Sequence, residues 1–393
     1  MRVLIHDFAG HPFPVQLSRA LAHRGYDVLH VYSQSIQTPK GNLSKKANDP
    51  LKFNIIGISQ TKAFPKYSLI KRWFSERLYS KRLIQIVLNY CPEIVISANT
   101  PLEIQKDLLA YCKKKECYFI FWVQDIYSAA VKFVLKKKLP FLGSIFSFYY
   151  TFIEKRLLSK SDNIVVISED FRSFFNNWLD HSRINVIENW APLDEILPQS
   201  KVNRWSIKNG FSNKFCFVYA GTIGMKHNPA ALLNIARQFK NEIETAIVII
   251  SEGIGIEWLK GQASKEKLKN IFFFNYLDFE QLPLALSSAD VLIAILDQSA
   301  GEFCVPSKVL TYHCLGKPLL LSVPEENLVA RIVKEQESGI VIDSTDIGGF
   351  CRAARRLRND DRLRAKMGIN ARNYAVKSFN IDQKCNSFIK LFK

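Results

Sequence analysis

The most constraining feature of this 393-residue sequence is the alternation of short apolar, β-branched runs with longer amphipathic stretches. In the first half these runs are residues 3–6, 28–31, 53–56, 94–96, 118–121, 164–167 and 184–187. In the second half they are residues 215–219, 246–250, 271–274, 291–294, 319–321 and 339–342. Strands that alternate with helices form parallel sheets, and continuous apolar strands indicate sheets covered on both faces. The pattern therefore predicts an α/β protein.

The strand runs form two consecutive sets, and the length exceeds the roughly 250 residues at which a single core stops growing. We therefore predict two doubly wound, Rossmann-like domains at residues 1–200 and 201–375. A helix at 376–393 is expected to pack back toward the first domain, and a polar linker is expected at 192–210. In such folds ligands bind beyond the carboxyl ends of the strands, here facing a cleft between the domains. The loops that follow strands are the candidate sites.

The chain has 54 basic and 36 acidic residues, a formal net charge of +18, which favours an anionic partner. Nucleic acid is disfavoured because the sequence contains no known nucleic-acid-binding module. Basic residues are interleaved with aromatic side chains at 40–82 and 132–153, and the second stretch suits a segment lying among lipid headgroups. We predict docking on an anionic membrane surface, with solvated helices that bury their apolar side as the alternative. A third basic stretch, 352–372, is interpreted as an exposed helix.

Other classes of protein are disfavoured by what the sequence lacks. It contains no apolar run of about 20 residues and no signal-peptide layout, which predicts a cytoplasmic protein attached peripherally to the inner face of the plasma membrane. Its eight cysteines include no CxxC pair, its histidines form no HxxxH pair, and Asp-x-Asp does not occur. We therefore expect no metal and no cofactor.

In the first domain, polar residues follow three of the predicted strands. Gly10 and His11 lie in a shaped loop after the first strand, but the loop lacks GxGxxG, which argues against a dinucleotide site. Asp125 follows the fifth strand, where it could act in a site or cap the next helix. Asn189 follows the last strand of the set.

In the second domain, glycine-rich loops follow the strands. The segment from Gly221 to Gly224, with Lys226, suits a diphosphate because glycine lets backbone N–H groups approach; a plain tight turn is the alternative. A second such turn contains Glu252 and Gly253. Further along, a loop with Glu302 leads into a helix that is predicted to start near Pro306. Val305, Ser307 and Lys308 then lie where an anion would bind.

Together these motifs resemble retaining family 4 glycosyltransferases of the GT-B architecture, within the bacterial branch that builds O-antigen, capsule and exopolysaccharide. The resemblance implies that the second domain binds a nucleotide-sugar donor, usually UDP-linked, and that the first domain binds a lipid-linked saccharide acceptor. It implies catalytic roles for Glu302, Lys226, Lys308 and Asp125, and acceptor binding by Gly10, His11 and Asn189. The implied donor-binding residues are Gly221, Thr222, Gly224, Glu252, Gly253, Asn275, Tyr276, Val305, Pro306, Ser307 and Thr311.

The sequence departs from the family pattern in two places. Thr311 stands where many members have a second glutamate, and Thr222 stands where an arginine is usual. Threonine cannot offer a bidentate carboxylate to a ribose. Two other functions therefore stay open: a non-catalytic nucleotide-sugar or lipid-binding relative, and a nucleotide-sugar epimerase on the same scaffold.

Overall fold

A computed structural model of the chain describes residues 1–36, 38, 40–60, 68–129, 131–132, 140–175, 179–224, 227–300 and 304–392. The chain divides into two compact units. The first is Met1–Asn189 together with Ile381–Lys393, and the second is Trp190–Asn380. The structural boundary, at Asn189, thus falls 11 residues before the predicted one at residue 200, and the chain returns to the first unit at Ile381.

The described strands of the first unit form a seven-stranded parallel sheet in the order β3-β2-β1-β4-β5-β6-β7. They are β1 Arg2–Asp7, β2 Asp27–Ser33, β3 Phe53–Ile58, β4 Ile94–Ala98, β5 Tyr118–Val123, β6 Asn163–Val166 and β7 Ile184–Val186. The helices of this unit are α1 Pro12–His23, α2 Leu69–Tyr90, α3 Leu102–Lys114, α4 Pro140–Lys160, α5 Glu169–Phe174 and α14 Ile381–Ile389.

The described strands of the second unit form a six-stranded parallel sheet in the order β10-β9-β8-β11-β12-β13. They are β8 Phe215–Ala220, β9 Thr245–Ile250, β10 Ile271–Phe274, β11 Val291–Ile295, β12 Leu319–Ser322 and β13 Gly339–Ile342. The helices are α6 Arg204–Lys208, α7 Ala230–Gln238, α8 Ile254–Lys265, α9 Leu282–Ser287, α10 Lys308–Cys314, α11 Leu328–Glu335, α12 Ile347–Asn359 and α13 Asp361–Ser378.

The predicted fold class is confirmed, and each predicted run corresponds to a strand of these sheets. The central strands β1, β4, β8 and β11 are almost wholly buried, as expected for sheets covered on both faces. In both sheets the first three strands of the unit extend to one side and the later strands to the other. The strand order therefore reverses between β1 and β4 in the first sheet, and between β8 and β11 in the second. The strand order of the second unit repeats that of the first, so that β8 and β11 are the counterparts of β1 and β4.

The predicted linker at 192–210 is structured instead. Asn203 caps α6, accepting from the backbone N–H groups of Trp205 at 2.9 Å and Ser206 at 3.1 Å. The buried Trp205 stacks on Phe211 with 5.5 Å between ring centroids. Capping and aromatic burial thus fold a segment whose polar composition resembles a linker.

Helix α14 belongs to the first unit and packs on α1 and the end of the sheet. Its Phe388 contacts the buried Trp122 of β5, with 4.7 Å between ring centroids. Asp382 accepts from Arg24 Nη2 at 2.7 Å, just beyond the end of α1. Helix α14 therefore completes the hydrophobic core of the first unit, which also contains the first residues of the chain.

The arginine-rich stretch 352–372 has a structural role that an exposed helix would not have. Arg358 and Arg364 lie over the ring of Phe215, at 4.7 and 4.8 Å from its centroid. Arg355 lies over Phe239 at 4.3 Å, and Arg372 donates to the carbonyl of Cys314 at 2.5 Å, at the end of α10. Cation–π contacts and a helix C-cap therefore engage much of this charge.

Helices α2 and α4 of the first unit turn their acidic residues inward and their basic and aromatic residues outward. Each helix has a single acidic residue, Glu76 in α2 and Glu154 in α4, and both are buried. Their outward faces expose large aromatic side chains, among them Phe74 at 62% and Phe148 at 76%. None of the helices in the described part of the chain is long and apolar enough to cross a membrane.

Two helical glycines of the second unit allow a matched test of close packing. A Cβ at Gly368 in α13 would lie 2.5 Å from the carbonyl oxygen of Gly316, whereas a Cβ at Gly261 in α8 would meet nothing within 4 Å. We expect Gly368→Ala to lower the free energy of unfolding by about 1–3 kcal/mol through overpacking. Gly261→Ala should raise it by up to about 1 kcal/mol through helix propensity. Urea and thermal unfolding followed by circular dichroism measure both; equal stability of the two variants would contradict the packing.

Candidate functional site

The candidate donor site of the second unit lies at the carboxyl edge of its sheet. The loops after β8, β9 and β10 carry Gly221, Glu252 and Asn275, which the sequence analysis selected. Helix α10 begins after β11, the strand beside β8. These loops and the start of α10 therefore surround the point where the strand order reverses, which is where open α/β sheets bind ligands.

The two glycine-rich turns of this unit are interlocked. The amide of Ile223 donates to the carbonyl of Glu252 at 3.1 Å, and the amide of Gly255 donates to the carbonyl of Ile223 at 3.0 Å. Gly253 has a φ of +119°, and a Cβ there would lie 2.7 Å from the oxygen of Ile223. Glycine is thus required at this position by both conformation and close approach.

The backbone amides of the first turn are hydrogen-bonded within the protein. Gly221 N donates to the carbonyl of Ile250 at 3.0 Å, and Gly224 N donates to His227 Nδ1 at 3.1 Å. The structure thus gives no support to the expectation that these amides approach a diphosphate. These two contacts fit the tight-turn alternative, and diphosphate binding by the turn stays a prediction.

Lys308, in the first turn of α10, lies against the end of β8. Its Nζ donates to Tyr219 Oη at 2.5 Å and lies 4.0 Å from the centroid of that ring. A Cβ at Gly221 would lie 2.8 Å from Lys308 Cε, so glycine makes room for the lysine. Tyr312, one turn further along α10, accepts from the amide of Ala220 at 3.0 Å. Tyr219 therefore holds the lysine at the strand end, and Tyr312 joins α10 to the same strand.

Other predicted donor residues are placed around this contact. Thr222 Oγ1 and Tyr276 Oη are hydrogen-bonded to each other, which joins the loops after β8 and β10. Thr311 is half-buried one turn after Lys308, on the same side of α10. Along the start of this helix Val305 is half-buried, Pro306 is buried and Ser307 is exposed, and Asn275 is exposed in its loop. Lys226 and Glu302 lie outside the described residues.

The first unit has a cavity of about 290 Å³ at the carboxyl edge of its own sheet. It is lined by residues that follow β1, β4 and β5, including the predicted His11 and Asp125. Gly10, with a φ of +74°, makes the turn between β1 and α1. The predicted Asn189 forms a pair of amide hydrogen bonds with Gln124, which lines the cavity. The structure therefore brings the predicted acceptor residues to one edge of the sheet.

Two buried carboxylates shape this cavity, and neither was selected from the sequence. Asp7 Oδ2 accepts from the amide of His11 at 2.5 Å, and its Oδ1 accepts from Asn99 Nδ2 at 3.0 Å. Glu154 accepts from the amides of Tyr127 at 2.8 Å and Ser128 at 3.1 Å. Burial raises the pKa of both carboxyls. Glu154 therefore occupies the capping role that was considered for Asp125, which is exposed.

Hydrogen bonds also fix Arg72, which lines the cavity, and the buried His6 of β1. Arg72 Nε donates to Glu76 at 2.6 Å, and its Nη2 donates to Tyr127 Oη at 2.5 Å. The buried His6 contacts Tyr79 Oη and Thr100 Oγ1, each at 3.0 Å. Burial lowers the pKa of His6 to about 3, so it stays neutral near pH 7 and ties β1 to the loop after β4.

Within the described part of the chain, no group of three or more His, Cys, Asp or Glu side chains could hold a metal ion. The residues at both sheet edges are hydroxyls, amides, single carboxylates and a lysine. This arrangement suits hydrogen bonding to sugar hydroxyls and contact with an anion.

One known family matches most of the second unit. The family described as "Glycosyl transferases group 1" matches residues 202–374. This stretch includes both glycine-rich turns and α10.

Two relatives align with parts of the chain. An uncharacterized glycosyltransferase, MJ1069 of Methanocaldococcus jannaschii, is 24% identical over 264 residues, covering 66% of this chain and 65% of the relative. A putative colanic acid biosynthesis glycosyl transferase, WcaI of Escherichia coli, is 25% identical over 173 residues, covering 42% of each. The alignments thus span less than two thirds of either relative's length.

Solved structures of the GT-B architecture match the fold along the whole chain. A sucrose-phosphate synthase from Thermosynechococcus elongatus superposes with a TM-score of 0.74 at 12% identity, covering 100% of this chain and 98% of that one. Anabaena Alr3699/HepE, solved with UDP and glucose, gives a TM-score of 0.70 at 11% identity, covering 99% and 98%. At such identities the likeness establishes the fold.

Proposed function

We propose that this protein is a retaining glycosyltransferase of family 4. It transfers a hexosyl or N-acetylhexosaminyl group from a UDP-linked sugar to a saccharide carried on a membrane lipid diphosphate. The products serve surface polysaccharide synthesis, of the O-antigen, capsule or exopolysaccharide type. The relative annotated for colanic acid biosynthesis and the UDP complex of the Anabaena protein support this proposal.

The observation that carries the proposal is the lysine at the strand reversal of a group 1 glycosyltransferase domain. Breaking the bond between sugar and phosphate leaves about two negative charges on the departing nucleotide diphosphate. A cation already held in position stabilises that charge as it develops, without reorganisation at the moment of reaction. Lys308 is held in this way by Tyr219 and by the space at Gly221. Because the sequence offers no Asp-x-Asp pair, we assign this role to the protein cations Lys308 and, by resemblance alone, Lys226. Glu302 is assigned by resemblance alone to the hydroxyls of the donor sugar.

The acceptor is proposed to reach the first unit from an anionic membrane, with the protein docked peripherally on the cytoplasmic side. The outward faces of α2 and α4 support this, since they combine lysines and arginines with exposed aromatic rings and carry no acidic residue. Each basic residue near an anionic headgroup contributes about 1 kcal/mol of attraction. The same faces hold Trp73 and Tyr149, whose amphipathic rings suit the headgroup region.

The activity is tested by release of UDP from a panel of UDP-sugars, in the presence of a membrane lipid extract. We expect release with at least one donor, and Lys308→Ala should lower turnover at least about tenfold, as loss of a transition-state contact does. Lys366→Ala is the matched control, because Lys366 is exposed and pairs with Glu337. Tight binding of UDP without turnover of any donor would favour the non-catalytic relative instead.

The position of Lys308 is tested by a pair of glycine variants. Both Gly221 and Gly210 have positive φ, +133° and +73°, but only at Gly221 would a Cβ meet the lysine side chain. Gly221→Ala should therefore lower turnover at least about tenfold by displacing Lys308. Gly210→Ala should cost stability through backbone strain and leave turnover at saturating donor unchanged. Equal turnover of the two variants, measured below their melting temperatures, would contradict this placement of the lysine.

Membrane docking is tested by sedimentation with vesicles that contain phosphatidylglycerol. Binding should weaken as salt rises, because the attraction is screened. The double variant Phe74→Ser, Phe148→Ser should bind at least about tenfold more weakly, since burying each ring contributes about 1.5–3 kcal/mol. Ile243→Ser, at a residue of the second unit that is 82% exposed, is the control. Salt-insensitive binding, or equal loss in the control, would argue against docking through α2 and α4.

A further inference from the structure

The cavity of the first unit lies where three helices begin. Helices α1 and α3 start at its edge, after β1 and β4, and residues 127–129 start a further helical segment after β5. The first amides of a helix have no partner within the helix, and the helix dipole adds positive charge there. Such a place ordinarily favours phosphate or another anion.

In this unit the protein's own buried carboxylates occupy these helix beginnings. Asp7, fully buried, accepts from His11 N immediately before α1. Glu103, 1% exposed, lies in the first turn of α3, where it accepts from Lys106 Nζ at 2.6 Å and from Tyr149 Oη at 2.7 Å. Glu154, 3% exposed, accepts from the amides of Tyr127 and Ser128. At two of the three helix starts, amides that an external anion would bind are thus already bound by a carboxylate of the protein itself.

The side chains that line the cavity do not restore a positive field. Arg72 lines the cavity, but its guanidinium is engaged with Glu76 at 2.6 Å and with Tyr127. Asp125 and Glu154 line the same space. The charge of Arg72 is paired with that of Glu76, and Glu154 is bound by helix amides. Asp125 adds a further carboxylate to the lining, so a ligand with a phosphate or carboxylate would face a like charge.

The second unit shows the opposite charge at equivalent places. Its β8 and β11 are the counterparts of β1 and β4, and they lead into α7 and α10. The first turns of α7 and α10 contain no acidic residue, and α10 begins with Lys308. The two units thus share a topology but differ in the charge of the ligand that their sheet edges favour.

The polar groups of the cavity suit a neutral ligand rich in hydroxyls. Asn99, Thr100, Gln124 and Tyr127 supply amides and hydroxyls, and Phe121 supplies an aromatic wall. A volume of about 290 Å³ is at the small end of ligand pockets, enough for one small ring system. We propose that this cavity binds a neutral sugar ring of the acceptor and discriminates against acidic sugars and phosphate. The proposal rests on the proposed function, because it identifies the chemistry of that acceptor.

A lipid-linked acceptor would then be divided between two environments. Its terminal neutral sugar would enter the acid-lined cavity, and its diphosphate would stay outside. The outer face of α2 exposes Lys71, Lys81 and Arg82, which can meet phosphate there. This division lets one protein surface attract an anionic lipid while the cavity beside it excludes anions.

The test measures binding of small probes to the full-length protein by saturation-transfer NMR, with no donor present. The probes are neutral methyl hexosides and N-acetylhexosaminides, the matching methyl hexuronides, and inorganic phosphate. Phosphate binding is detected by whether phosphate displaces the neutral probes. At least one neutral glycoside should bind, and its uronide should bind at least about tenfold more weakly because of like-charge repulsion. Asp125→Asn should reduce severalfold the ratio of the affinity for the neutral glycoside to the affinity for its uronide. Asp180→Asn, at an exposed residue before β7 and thus at the opposite end of the sheet, should leave it unchanged.

The outcomes separate this inference from the proposed function. A uronide that binds as well as its neutral partner, displacement of the neutral probe by phosphate, or no binding of any neutral glycoside would each overturn the inference. A selectivity that Asp125→Asn leaves unchanged would also overturn it, because the site would then lie elsewhere. Failure of the proposed function is seen in the activity assay instead. There, no UDP would be released from any UDP-sugar in the presence of the membrane lipid extract.

Discussion

The rest of the structure depends on the reversal of strand order in each parallel sheet. Between β1 and β4, and again between β8 and β11, the chain leaves the sheet in opposite directions, so no crossover covers the carboxyl edge at that point. A crevice is unavoidable there, and the side chains that follow these strands decide its chemistry. The topology therefore fixes where ligands can bind in both units. The residues at the ends of four strands fix which ligands those are.

In the second unit one tyrosine hydroxyl organises the crevice. Tyr219 Oη donates its proton to the carbonyl of Thr222 at 2.9 Å, and so it can only accept from Lys308 Nζ. Burial raises the pKa of Tyr219 well above its ordinary value, which keeps that proton in place near pH 7. The lysine is then a fixed donor that lies over the π face of Tyr219, which stabilises its charge. This contact fixes the cation at the carboxyl edge of the sheet, where the proposed donor diphosphate would bind.

The sequence predicted the strands because buried parallel strands are continuous apolar runs, and it predicted the loops because ligands bind after such strands. It could not identify the groups whose roles depend on distant partners. Glu154 binds the amide of Tyr127, which lies 27 residues earlier, and in the sequence it resembles any acidic residue on a helix. Asp7 was passed over because a residue at the end of an apolar strand does not show whether its carboxylate faces solvent or a helix start. The glycines at 221 and 253 were recognised, but their close contacts with Lys308 and Ile223 required coordinates.

The excess of positive charge also has a different meaning once the partners of the basic residues are known. By the number of basic residues alone, the stretch at 352–372 resembles the basic stretches of the first unit. Its Arg355, Arg358 and Arg364, however, lie over phenylalanine rings of the second unit. In α2 and α4 the distribution is the reverse, since the single acidic residue of each helix is buried and its lysines are exposed. Burying the acids serves two ends at once. It leaves the outer faces purely basic, and it places Glu76 and Glu154 where they neutralise Arg72 and a helix start beside the cavity. The positive surface and the acid-lined cavity are therefore two faces of the same pair of helices.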